Sequence, residues 1–99
     1  MNLSRDEVLE KLERNREAIR RHGVRRIGLF GSCARGKASA ASDLDLLVEF
    51  ERKSFDAYMD LKEFLEGLFD CRVDLVLADT LKPGLRESIL RETIHAPGL

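Results

Sequence analysis

Val8, Leu12 and Ile19, with Leu9 beside them, recur at helical spacing near the start of the chain and predict a helix from about Arg5 to Arg21. Ser4 followed by Glu7 is a capping-box signal ahead of that run, with Leu3 as the staple residue. Gly23 then fits the position just past a helix end, where left-handed backbone is favoured. VRRIGLFG, residues 24–31, alternates and then turns continuously apolar, as a half-covered strand does. DLDLLVEF, residues 43–50, has a period of two. It places Leu44, Leu46, Val48 and Phe50 on one face and Asp43, Asp45, Leu47 and Glu49 on the other. Between these strands, ARGKASAAS is small and polar, and reads as a loop or a short helix bent around a site.

SFDAYMDLKEFLEGLF, residues 54–69, predicts a second amphipathic helix with Phe55, Tyr58, Leu61, Leu65 and Leu68 on or near one stripe. In CRVDLVLAD, residues 71–79, Val73, Leu75 and Leu77 alternate against Asp74 and Val76, giving a third strand. Pro83 and Gly84 punctuate the chain before LRESILRETI, a final helix over residues 85–94 released by Pro97 and Gly98. The order helix, strand, strand, helix, strand, helix predicts an α/β (α+β) fold, a small sheet backed by helices. One domain is expected to cover residues 1–99.

Composition narrows the setting. Hydrophobic residues make up 43% of the chain and charged ones 35%, the balance of a soluble globular protein. There is no apolar stretch of membrane-spanning length and no signal-peptide core in MNLSRDEVLEKLER. Cys33 and Cys71 lie far apart, outside any Cys-x-x-Cys pattern, which argues against structural zinc or a disulfide framework and suits a reducing cytoplasm. A net charge of −1 gives no global pointer to nucleic acid. The charge is uneven, however: residues 1–26 carry a local +3 and residues 43–79 a local −7. The basic segment Arg20–Arg26 could touch phosphates. It reads more simply as a solvated helix end, where basic residues complement the macrodipole.

The aspartates need a chemical reason. Asp43 and Asp45, at i and i+2 on a strand, point the same way with backbones about 7 Å apart. Their carboxylates can converge on one or two hard cations, in the way Mg²⁺ is held at phosphoryl-transfer sites, leaving positions for water and phosphate oxygens. Asp74, opposite the apolar face of the next strand, completes a three-carboxylate cluster if those strands are neighbours. Gly31 at the end of the first strand allows a tight turn and close approach to a ligand. The N–H groups that follow it and the Ser32 hydroxyl can hold phosphate oxygens, and Arg35 can add a charge-assisted contact. Taken singly, a Gly-Ser turn or an Asp-x-Asp on an exposed strand is commonplace; it is their conjunction on the correct strand ends that carries weight. Other polar residues have plainer readings: Tyr58 as core, Cys33 as a small loop residue, and His95 as a tail or helix-end histidine.

In these motifs the chain resembles the minimal nucleotidyltransferases, small members of the DNA polymerase beta-like nucleotidyltransferase superfamily. Gly31-Ser32 is followed by ten residues, Cys33 to Ser42, and then by Asp43-Leu44-Asp45. The frames LFGSCARG at 29–36, SDLDLLV at 42–48 and RVDLV at 72–76 also match, and the likeness runs over almost the whole chain. The resemblance implies the nucleotidyltransferase fold with a small mixed β-sheet. It implies that Gly31 and Ser32 bind the β- and γ-phosphates of ATP, and that Asp43 and Asp45 ligate two Mg²⁺ ions. Asp74 would bind the metal nearer the nucleophile and act as general base, while Arg35 would contact phosphate or brace the loop. Lys37 stands where many relatives carry an acidic residue, which bears on loop electrostatics and leaves the three aspartates intact.

Larger relatives hold their acceptor in a second domain. About 25 residues follow Asp74 here, so the acceptor is expected from another chain or from a homo- or hetero-oligomer. The resemblance implies pairing with a HEPN-domain toxin, which the antitoxin neutralises by adding AMP to a tyrosine. Two other readings stay open: an adaptor that neutralises its partner by binding alone, and transfer to a small molecule or an RNA end.

Overall fold

The computed structural model describes residues 4–34 and 43–96. Helices α1 (Arg5–Arg14) and α2 (Arg16–Arg21) lead into strand β1 (Val24–Phe30) and a single helical turn, α3 (Gly31–Ala34). Strand β2 (Leu44–Phe50), helix α4 (Phe55–Phe69) and strand β3 (Val73–Leu77) follow. A 3₁₀ turn (Ala78–Thr80), helix α5 (Pro83–Glu92) and a short strand β4 (Ile94–His95) complete the described chain. The sheet has the order β3-β2-β1-β4. β2 runs parallel to β3 and antiparallel to β1, and β1 is antiparallel to β4. A parallel pair needs a crossover connection, and α4 supplies it.

The period-two pattern puts Leu44, Leu46 and Val48 of β2 beside Val73 and Leu75 of β3 and Ile27 and Leu29 of β1. Val8, Leu12 and Ile19 cover that face from α1 and α2, and Leu61, Leu65 and Phe69 cover it from α4, in one continuous core. The expected small mixed sheet backed by helices is the observed architecture, and the capping signal is realised: the Glu7 N–H donates to Ser4 Oγ at 3.2 Å. Gly23, at φ +84°, ends α2 as its sequence position suggests. Tyr58 is part-buried against the core and donates its hydroxyl to the Leu75 carbonyl at 2.7 Å.

Four expectations about the first helix, α4 and the C-terminal elements are corrected. The first helix is interrupted at Asn15, whose backbone and side-chain Nδ2 both donate to the Lys11 carbonyl, at 3.2 and 2.8 Å. An asparagine amide competes with the helical ladder in this way, yet Val8, Leu12 and Ile19 remain fully buried on both sides of the break. On α4, Phe55 is 77% exposed and does not belong to the core stripe, whereas Phe69, four residues beyond Leu65, is fully buried. Lys11 sits 5.8 Å over the Phe69 ring and donates to the Leu68 carbonyl, tying α1 to the end of α4.

The third and fourth corrections concern residues 83–96. The final helix begins at Pro83, where a missing N–H is harmless, and ends at Glu92, so Thr93 and Ile94 lie outside it. Ile94 and His95 form the unforeseen strand β4. His95 is therefore a strand residue paired with Gly28, not a helix-end or tail histidine. Gly28 makes that pairing possible: a Cβ there would lie 2.5 Å from the Thr93 methyl and 3.1 Å from the Ile94 carbonyl oxygen. Only a residue without a side chain lets the two backbones approach so closely.

Candidate functional site

The register of the parallel pair decides where the carboxylates meet. Asp45 stands opposite Asp74, flanked by Leu44↔Val73 and Leu46↔Leu75. Those leucines and Val73 point into the core, so alternation sends Asp45 and Asp74 to the opposite, open face. Adjacent strands lie about 4.8 Å apart, and like charges directly opposite one another repel. Asp45 is half-buried and Asp74 exposed. Asp43 sits just before β2, exposed, at a point where the Leu44 N–H donates to the Arg72 carbonyl at 3.0 Å and anchors the strand entry.

Gly31 closes the site from β1. Phe30 pairs with Asp45 across the antiparallel ladder, and the chain then turns at Gly31 with φ +76°. A Cβ at Gly31 would lie 2.9 Å from Asp45 Cγ and overlap its Oδ2. The glycine is thus required twice, by its left-handed backbone and by the carboxylate against it. The register and this contact bring Gly31, Asp45 and Asp74 to one place. Ser32 continues into α3; its side chain, with Arg35, Lys37 and the rest of residues 35–42, lies outside the described residues.

One residue at this place has no counterpart in the sequence reading. Glu92, in the last turn of α5, accepts a hydrogen bond from the Gly31 N–H through Oε1 at 3.3 Å, linking positions 61 residues apart. Its signal was weak: a glutamate where a helix C-terminus favours the basic residues that precede it.

Two thiols border the carboxylates. Cys33 is buried in the core, not a loop residue, and burial first, then the Asp45 charge, pushes its thiol pKa up. Burial and then the nearby Asp43 do the same for Cys71. Neither cysteine is in a disulfide, and the upward shifts favour the protonated thiol over the reactive thiolate. Farther along the open face, Leu47 is buried, while Phe30 and Val76 are part-exposed around it. Arg26 and Glu49 form an ion pair at 4.0 Å there, and His95 has its pKa lowered by burial and then by Arg26. Arg20, Arg21, Arg25 and Arg26 are all exposed.

The donor set at Asp43, Asp45 and Asp74 is purely carboxylate, the chemistry that suits Mg²⁺ and disfavours softer metals. Among the described residues, no three His, Cys, Asp or Glu side chains close around a common metal position. The fit therefore rests on the Asp45–Asp74 register and on donor type.

The nucleotidyltransferase domain family matches residues 7–95 of the chain. The protein adenylyltransferase MntA of Thermococcus cleftensis is 42% identical over 95 residues, covering 94% of this chain and 96% of its own. A solved minimal nucleotidyltransferase shares 49% identity at a TM-score of 0.74, with coverage of 87% of this chain and 93% of that one. A structure of the tri-AMPylated Shewanella oneidensis HEPN toxin in complex with its MNT antitoxin superposes at a TM-score of 0.64 with 21% identity. That match covers 92% of this chain and 73% of the other, and at this identity it speaks to the fold alone.

Proposed function

The chain belongs to the nucleotidyltransferase domain family, and from that premise we propose that it transfers AMP from ATP to a hydroxyl of a partner protein, a HEPN-domain toxin that it thereby neutralises. The observation that carries this reading is the pairing of Asp45 with Asp74 on the open face, with Gly31 pressed against Asp45. A pure adaptor has no physical need for like charges in register across a parallel pair, where they cost stability. The adenylyltransferase relative supports the choice of AMP and of a protein acceptor.

The residues divide the work as follows. Gly31 and Ser32 would hold the β- and γ-phosphates, with Arg35 adding a cationic contact. Asp43 and Asp45 would ligate two Mg²⁺ ions, with Asp74 as a further ligand to one of them. Bound Mg²⁺ supplies charge neutralisation on the phosphates and template effects at both ends of an in-line displacement. In the reaction, the acceptor oxygen forms a bond to the α-phosphorus as the bond from that phosphorus to the α,β-bridging oxygen breaks. Pyrophosphate leaves, and the acceptor proton passes to the Asp74 carboxylate. A tyrosine hydroxyl is the acceptor we assign, since a phenol loses its proton more readily than an aliphatic alcohol.

The test is the intact mass of a HEPN-domain partner, co-expressed with the wild type or with Asp45→Asn. AMP-sized increments with the wild type alone are the expected result. A partner that stays unmodified, yet is neutralised and co-purifies with both forms, would show that binding suffices and would overturn the catalytic reading.

A further inference from the structure

Glu92 lies outside the Gly-Ser and aspartate motifs, yet it touches Gly31 at this site. Helix α5, which carries it, buries none of its residues, so its position is set less by packing than by what its last turn touches. A carboxylate in the last turn of a helix sits against the negative end of the macrodipole, which disfavours it there. Placement against a local rule asks for compensating contacts, and one of them is the Gly31 N–H at 3.3 Å. The backbone on either side is fixed. Thr93 Oγ1 donates to the Ile89 carbonyl at 2.6 Å, and the Ala96 N–H donates to Ile27 O at 3.0 Å, which holds β4 on β1. Glu92 is therefore delivered to Gly31 from the end of a helix that leads directly into a clamped strand, while Gly31 lies against Asp45 on its other side.

We propose that Glu92 is a positioning residue for nucleotide binding: its carboxylate oxygen fixes the Gly31 peptide plane and, through it, the orientation of the Gly31-Ser32 turn toward the triphosphate. The role of that turn rests on the proposed function above; the role of Glu92 goes beyond it. The interaction needs an acceptor oxygen rather than a charge, which separates it from metal ligation. Glu92→Gln keeps the oxygen, and Glu92→Ala removes it.

The experiment measures the affinity of the full chain for α,β-methylene-ATP in Mg²⁺, with amide hydrogen exchange at Gly31 followed in parallel. Loss of one hydrogen bond to a charged acceptor predicts that Glu92→Ala weakens binding about tenfold, equivalent to about 1.4 kcal/mol. Glu92→Gln should recover most of that affinity. Gly31 exchange should accelerate in the alanine variant and stay protected in the glutamine one, a readout that general loosening of α5 would not confine to this amide. Wild-type affinity in Glu92→Ala, or equal losses in both variants, overturns the positioning role. A wild-type chain that fails to bind the analogue at all would instead overturn the nucleotide site itself.

Discussion

Leu46 and Asp45 are consecutive residues of one strand, yet they live under opposite rules. Leu46 is fully buried among Leu29, Leu75 and the helices that back the sheet. Asp45 faces away from those helices, half-exposed and in register with a second aspartate. On the helix-covered face every partner is apolar and the arrangement lowers the free energy of the fold. On the open face the same backbone holds like charges side by side, with Gly31 giving up a side chain to admit one of them. Strand alternation lets a single β2 serve both purposes, because a period of two keeps stability and chemistry on separate surfaces.

The sharpest way to break that contrast is to truncate each neighbour in turn. Asp45→Asn should reduce AMP transfer by about 10³-fold or more, the effect of about 4 kcal/mol of lost transition-state stabilisation. Its urea midpoint should hold or rise, since removing one of two opposed charges relieves about 0.2–1 kcal/mol of repulsion. Leu46→Ala should do the reverse, lowering unfolding free energy by about 2–5 kcal/mol through lost burial and a residual cavity. At temperatures where it remains folded, its transfer rate should stay within a few-fold of wild type. Denaturation curves run beside transfer assays on the two variants check both halves. A large stability loss in Asp45→Asn would mean that the open face is structural after all.

A smaller effect is expected at the boundary between the faces. Gly31→Ala adds one methyl in left-handed backbone and drives it into the Asp45 carboxylate. Together these predict about 2–4 kcal/mol of destabilisation. The same variant should lose most nucleotide affinity, because Asp45 is displaced and the turn re-aimed. Retained affinity for an ATP analogue, measured calorimetrically, would show that Gly31 serves the fold only.

The extent to which these features were legible in the sequence follows the distance over which they are encoded. The two strands of the site and its three aspartates are written in short-range alternation and spacing, and the Asp45–Asp74 juxtaposition needed only the assumption that β2 and β3 are neighbours. Tyr58 and the Ser4–Glu7 cap were likewise readable from local periodicity. Phe55 and Phe69 were not separable by hydrophobicity; which one is buried depends on where α4 meets the sheet and on Lys11, far away in sequence. The break at Asn15 turns on a single side-chain hydrogen bond. β4 was hidden because two residues carry no period, and the glycine that admits it lies in a different strand. Glu92 was hidden for the same reason, since its partner is 61 positions away.

The smallest expected effect lies at the outer edge of the open face and reports how wet that face is. His95 pairs with Gly28 and has its pKa lowered, first by burial and then by Arg26, with Glu49 opposing. The folded state therefore favours the neutral imidazole, whereas the unfolded chain takes up a proton in the ordinary histidine range. Because the unfolded state binds more protons across that interval, stability rises with pH there. The His95 contribution is complete above its unfolded pKa and is lost as pH falls toward the folded one. Thermal midpoints of wild type and His95→Gln, compared from pH 8 down to pH 5, should converge or cross as the wild type loses this contribution. His22 is common to both proteins and cancels in the difference. Midpoints that stay parallel throughout would mean that β4 leaves His95 in a water-like setting, and that the open face is solvated across its full width rather than only around the aspartates.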